Sequence, residues 1–146
     1  MTTLDGAVRI GARDQYLAVV STTRADGSIQ SSLVNAGVLA HPATGAKVLA
    51  FVTYGATKLR NLRDRPQLTA TFRAGWEWAS VEGAAELIGP DDPHAAVGRD
   101  ALPALLRDVF VAAVGRHDDW DAYDREMVAS RRTAVLVEPR RIYSNG

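Results

Sequence analysis

Cysteine is absent from the 146 residues. Disulfides, thiolate zinc sites, iron–sulfur clusters and thiol nucleophiles are excluded together. The absence also fits a reducing compartment. Lysine is scarce: of 17 basic residues only Lys47 and Lys58 are lysines. Neither charge is in excess, since 17 acidic residues balance the 17 basic ones. A general nucleic-acid binder needs a basic surplus, so none is expected here. No segment approaches the ~20 apolar residues that span a bilayer. Asp5, Arg9, Arg13 and Asp14 leave the N-terminus without an apolar signal core. A soluble, cytoplasmic chain is the expectation.

Hydrophobic residues make up 47% and charged residues 23%, the ordinary balance of a globular protein. The length suits one domain, residues 1–146, with a real core. Residues 3–14 read as a short helix. Tyr16 to Thr23 reads as a strand, and Asp26-Gly27 as a hairpin turn. Ser28 to Ala40 reads as one long strand, with Gln30, Ser32 and Val34 on one face. Its alternation is imperfect, which suggests cover on both sides. Lys47 to Thr53 is a third strand after the turn His41 to Gly45. Thr57 to Arg65 reads as a helix stopped by Pro66. Gln67–Arg73 and Trp76–Ile88 are two further strands, with Gly83 as a bulge candidate. Asp92-Pro93 has helix-start chemistry, opening a helical stretch over 94–114 divided at Pro103. Asp118 or Asp119 caps another helix to about Ser130. Thr133 to Val137 is the sixth strand, with an extension through Ile142 and Tyr143.

Hairpins dominate and repeated βαβ units are missing, which argues against a doubly wound parallel sheet. Six strands with short turns fit a small antiparallel barrel flanked by helices. No Gly-x-Gly-x-x-Gly, P-loop or Gly-x-Ser-x-Gly elbow is present. His41, His94 and His117 are far apart in sequence and lie at turns or helix starts. They read as solvent-facing, and no metal site is expected. The acidic run Asp118, Asp119, Asp121 and Asp124 reads as capping plus a solvated face.

The strongest local signal is Thr53 to Asn61. A strand ends, a glycine turn follows, and a helix begins. A helix N-terminus carries free N–H groups and about half a positive charge. Lys58 and Arg60 are unfavourable there unless an anion binds at the same place. Compact phosphate suits a lysine, and the Thr53 and Thr57 hydroxyls can add hydrogen bonds. A solvated basic helix with Thr57 as its N-cap gives the same pattern. Trp76 and Trp78, two apart on a strand, share a face. They can stack on a planar heterocycle, line a subunit interface, or simply pack on the sheet. Arg131-Arg132 complements the end of a helix or reaches toward an anion.

Taken in order, several stretches resemble a known family. They are Leu17-Ala18-Val19-Val20, Asp26 to Ser32, Thr57 to Pro66, Gly75-Trp76 and Val81-Glu82-Gly83. The chain resembles the pyridoxamine 5'-phosphate oxidase-like split-barrel flavin and deazaflavin oxidoreductases. Asp119-Trp120-Asp121-Ala122-Tyr123 and Arg131-Arg132 make it similar to the actinobacterial branch that uses coenzyme F420. The resemblance implies a six-stranded antiparallel split β-barrel that forms a homodimer with cofactor sites at the interface. It implies that Lys58 and its helix start hold a phosphate, with Arg60 and Asn61 beside it or the tail beyond. It places Gln30, Ser32, Val34 and Thr53 along the ring, with Trp76 and Trp78 as candidates for ring or substrate contact.

FMN-holding members commonly carry arginine just before the phosphate lysine, where this chain has Thr57. F420 is therefore favoured over FMN, its longer anionic tail engaging Arg60 and Arg63. The implied activity is hydride transfer to a conjugated small-molecule substrate. An FMN flavoprotein and a non-catalytic cofactor-binding protein are the alternatives. No catalytic acid stands out, and no pyridoxamine phosphate site is evident.

Overall fold

A computed structural model describes residues 2–146. The chain runs α1 (Leu4–Ala12), β1 (Leu17–Thr23), β2 (Ile29–Asn35), β3 (Gly37–Ala40), β4 (Lys47–Thr53) and α2 (Ala56–Asp64). It continues through β5 (Gln67–Ala74), β6 (Glu77–Ile88), α3 (Leu102–Ala113), α4 (Trp120–Ala129) and β7 (Thr133–Ser144). One antiparallel sheet carries seven strands in the order β2-β1-β5-β6-β7-β4-β3.

Six strands were expected. The difference lies in the stretch from Ser28 to Ala40, which breaks at Ala36. There the backbone N–H leaves the strand pattern and donates to the Tyr16 carbonyl at 2.9 Å. β2 and β3, one residue apart in sequence, occupy opposite edges of the sheet. Six inter-strand steps of about 4.8 Å would hold those edges about 29 Å apart in a flat sheet. A single residue cannot span that, so the sheet curls until its edges meet. No ladder joins β2 to β3 among the described residues, and the barrel stays split along that seam. β2 approaches β4 across it.

Curling makes an inside. Val20, Leu49, Phe51, Phe72, Val81, Val135 and Val137 fill it and are almost wholly buried. Burying each such side chain is worth about 1.5–3 kcal/mol. α1 closes one end, where the Phe72 ring lies against Gly11 so tightly that a Cβ would sit 2.3 Å from it. The opposite faces of β4 and β7 are covered as well. Val48, Ala50, Ala134 and Leu136 pack beneath α3 and α4 against Leu105, Leu106, Val109 and Met127. Two-sided cover explains the unbroken apolar runs of these two strands.

Other boundaries follow local chemistry. Gly27, at φ +87°, turns the β1–β2 hairpin, and Asp26 accepts from the Ser28 amide at 2.9 Å. Gly83 does sit at the β6–β7 irregularity: Glu82 pairs with Arg141 and Gly83 with Pro139. Arg140 bulges out there, and β7 runs on through Pro139 to Ser144.

Asp92 does not start a helix. Residues 99–101 form one 3-10 turn, and Pro103 sits in the first turn of α3 rather than dividing it. Asp119 caps α4 by accepting from the Ala122 amide at 3.0 Å. Phe110, His117, Trp120 and Tyr123 form an edge-to-face cluster between α3 and α4. His117 is thus a packed ring rather than a solvent-facing one. No described helix is long and apolar enough to cross a membrane.

Candidate functional site

β4 delivers Thr53 to the mouth of the barrel, and Gly55 turns the chain into α2. Gly55 is the N-cap and provides no side-chain hydrogen bond, while the first turn of α2 holds no acidic residue. Thr57, the N-cap expected from sequence, is one residue inside the helix and exposed. The positive end of α2 is therefore uncapped.

Lys58 projects inward from this turn. It is 5% exposed, and its Nζ donates to Thr53 Oγ1 at 3.1 Å. The same hydroxyl accepts from the Gly55 amide at 3.3 Å. Nζ also stands 5.7 Å from the centre of the Phe51 ring. Among the described residues no carboxylate pairs with it. Burial pushes the Lys58 ammonium below the ordinary lysine range. A buried cation at the positive end of a helix is costly twice over.

Asn61, one turn on and also buried, donates from Nδ2 to Thr22 Oγ1 at 3.0 Å. Thr22, its lone pair engaged, donates in turn to Gln30 Oε1 at 3.1 Å. This relay pins α2 to β1 and β2 and fixes the Gln30 amide. Gln30, Ser32 and Val34 share the less exposed face of β2, as the two-residue period predicted. Val34 is buried in the core. The Ser32 Oγ is buried with no hydrogen-bond partner. A hydroxyl left that way costs about 1–3 kcal/mol, so it points to an absent acceptor or donor.

Thr57 and Arg60 stand on the exposed side of α2. Arg63 is committed elsewhere, since its Nε and Nη2 grip Asp92 at 2.8 and 2.7 Å. Arg132 lies with its guanidinium 3.9 Å from the centre of the Tyr54 ring, beside the start of α2. Of the Arg131-Arg132 pair, Arg132 is thus the one that lies beside the start of α2, while Arg131 holds Asp91. The tryptophans do not share a strand face. Trp76 sits in the β5–β6 turn, 95% exposed, and Trp78 on β6 packs edge-on against Tyr143 at 6.1 Å. Neither makes a hydrogen bond or ring contact with Lys58, Thr53 or Asn61 among the described residues. A depression of about 790 Å3 is an open groove bordered by Ser21, Thr23, Arg65, Thr69 and Glu82 rather than by Lys58.

The fold also unites two histidines that sequence spacing kept apart. His41 Nε2 and His94 Nε2 bond the two oxygens of Glu86 at 2.7 and 2.5 Å. Three ligand-type atoms thus lie within 4.8 Å of one another. The other ring nitrogens decide what they do. His41 Nδ1 accepts from the Ala43 amide at 3.0 Å, and His94 Nδ1 from the Ala96 amide at 3.1 Å. Both protons therefore sit on Nε2 and point at the carboxylate. A metal would need the opposite tautomer, and both Nδ1–H groups would then face amide donors. The cluster is a hydrogen-bonded clasp joining the β3–β4 turn, β6 and the 93–98 segment.

Residues 4–146 match the family model described as pyridoxamine 5'-phosphate oxidase. A conserved hypothetical protein from Mycobacterium tuberculosis superposes with a TM-score of 0.66 at 20% identity, over 99% of this chain and 88% of that one. A pyridoxamine 5'-phosphate oxidase-related, FMN-binding protein from Nostoc punctiforme gives 0.68 at 15% identity, over 99% and 84%. A structure described as an F420 reductase gives 0.58 at 19% identity, over 88% and 90%. At these identities the likenesses establish a shared fold.

Proposed function

With the chain a member of the pyridoxamine 5'-phosphate oxidase family, we propose that it is an F420-dependent oxidoreductase acting on a conjugated small molecule. The observation that carries this is Lys58: a buried cation, without a carboxylate, at the uncapped start of α2. A phosphate monoester or diester supplies the missing charge. The first-turn N–H groups of α2, Lys58 Nζ and the Thr53 hydroxyl are the donors that hold it.

The orphaned Ser32 hydroxyl and the Gln30 amide fit a planar heterocycle laid along β2. Val34 offers that ring an apolar neighbour. Arg60, exposed and without a carboxylate partner among the described residues, is the residue for an anionic tail beyond the phosphate. Arg63 serves only if Asp92 releases it. Such a coenzyme supplies hydride chemistry when bound. The chain's part is to fix the ring on β2, keep water from its inner face, and neutralise the phosphate. No general acid is assigned at the site.

The outer face of β1 and β2 supports a homodimer. Val19, Leu33 and Ile29 stand exposed there, with Val19 paired directly to Leu33 across the strands. An apolar stripe of this kind suits a two-fold interface. A fluorescence titration with F420 and FMN in parallel tests the cofactor assignment. Micromolar or tighter F420 binding with weak FMN binding supports it. Tight FMN binding replaces it with a flavoprotein. Tight F420 binding without turnover across a panel of conjugated acceptors leaves a cofactor-binding protein instead.

A further inference from the structure

Met127 of α4 separates two cavities. One, about 370 Å3, opens between α3, α4 and the turn at Pro90, and is lined by Arg99, Leu102, Leu106, Met127, Val128 and Arg132. The other, about 260 Å3, also touches Met127 and Arg132 and reaches Asn35 on β2 and Val52 on β4. The pair thus runs from the helical surface toward the seam of the barrel. Their common wall is a flexible thioether, which can swing aside at little cost. Cavities that take small ligands span roughly 300–1,000 Å3 and are mainly apolar with a few placed polar groups.

The charges at the mouth are uneven. Asp124 is consumed by Arg107, which grips it at 2.9 and 2.5 Å, and Asp91 is consumed by Arg131. Arg99 and Arg132 have no carboxylate partner among the described residues; Arg132 donates instead to Ser130 Oγ at 3.0 Å. In a chain with no net charge, two arginines without a carboxylate leave local positive charge at the rim of an apolar cavity.

We propose that this α3–α4 cavity binds a small organic acid with an apolar body, for which an aromatic carboxylate is the probe. Arg99 and Arg132 are the charged partners and Met127 the adjustable wall. Because Arg132 also covers Tyr54 beside α2, the ligand sits next to the Lys58 cluster yet outside it. The inference does not depend on which cofactor the chain holds.

Calorimetric titration of the full chain with 2-naphthoate, and with neutral 2-naphthylmethanol, tests it. Saturable one-to-one binding of the acid is expected, with the alcohol about tenfold weaker or worse because it lacks the charge-assisted contact. Arg99→Gln is expected to weaken the acid about five- to tenfold. Val128→Trp, at an exposed position on the rim, is expected to abolish binding while the fold stays intact by circular dichroism. Lys58→Met is expected to leave naphthoate affinity unchanged. No saturable binding, equal binding of acid and alcohol, indifference to both rim variants, or loss in Lys58→Met would each overturn the assignment.

Discussion

Replacing Lys58 by methionine separates what the residue costs from what it does. Methionine keeps the length and apolar body of the side chain and removes its charge. In the folded chain that charge is 5% exposed, stands at the positive end of α2 and, among the described residues, has only the Thr53 hydroxyl as a polar partner. Buried ions replaced by apolar groups of similar volume are often neutral or stabilising, by about 1–4 kcal/mol. The unliganded variant is therefore expected to melt at the same temperature as the wild type or a few degrees higher. Cofactor affinity moves the other way. A charge-assisted hydrogen bond is worth about 1.5–3 kcal/mol, which corresponds to roughly a 10- to 150-fold rise in Kd.

The pH dependence gives a further readout. Burial lowers the Lys58 pKa in the fold. The unfolded chain then binds the extra proton more tightly, and stability rises with pH between the folded value and the ordinary lysine range. The variant should lack that rise. Thermal melts from neutral to alkaline pH, with cofactor titrations of both proteins, check all three expectations. A variant several degrees less stable with unchanged cofactor affinity would mean that Lys58 is a structural residue, and the phosphate assignment would fail.

Other predictions test separate parts of the fold. Asn61→Ala breaks the relay through Thr22 to Gln30 and should cost about 1–3 kcal/mol in urea denaturation, with weaker cofactor binding as β2 loosens. Gly37→Ala drives a Cβ to 2.2 Å from the Ala112 carbonyl, so α3 must shift, at a cost of about 1–3 kcal/mol read by thermal melting. Leu33→Lys on the exposed stripe should shift the mass seen in analytical ultracentrifugation from dimer to monomer without loss of secondary structure; a wild-type monomer would refute the dimer outright.

Glu86→Gln tests the histidine clasp. Burial alone would raise the Glu86 pKa, but hydrogen bonds from His94 and His41 outweigh it and hold the carboxyl below its ordinary range. Its stabilising contribution is thus present above the ordinary carboxylate range and lost as pH falls through the folded value. Wild type and variant should converge in acid and diverge at neutral pH. The divergence should persist in chelator, because the clasp works through Nε2–H donors rather than an ion.

Strand content, the turns at Asp26-Gly27 and over 41–45, and the shared face of Gln30, Ser32 and Val34 were legible because period-two patterning and turn chemistry are local. The cover expected on both sides of β2 was not found, since Ile29, Ser31 and Leu33 are exposed. The break at Ala36 was not legible. Residues 28–40 have one continuous extended composition, and only the curl of the whole sheet dictates that the chain change edges there. Asp92 failed as a helix start for a similar reason: its carboxylate is taken by Arg63, 29 positions earlier. The histidine clasp depends on β6 carrying Glu86 between two loops, a juxtaposition no spacing rule contains.

What the sequence carried about the site is one local contradiction, at the start of α2, and the structure adds others. Lysine is a poor choice for the first turn of a helix, and a worse one when it is buried. Arg131 is another misfit. It adopts φ +51° just past α4, where the Arg132 amide reaches back to the Met127 carbonyl at 3.0 Å, a place glycine usually fills. Glycine there would gain about 1 kcal/mol of backbone ease, against an exposed ion pair to Asp91 worth about 0–1 kcal/mol. Arg131→Gly should therefore leave stability in denaturant unchanged or slightly higher; a loss above about 2 kcal/mol would show that the Asp91 pair outweighs the strain. Ser32 completes the set, a hydroxyl buried without a partner. Each residue opposes the local preference that governs the rest of the chain, and Lys58 and Ser32 stand on the two elements, α2 and β2, that the Asn61 relay ties together. Local rules broken without local compensation are where a ligand's contribution belongs.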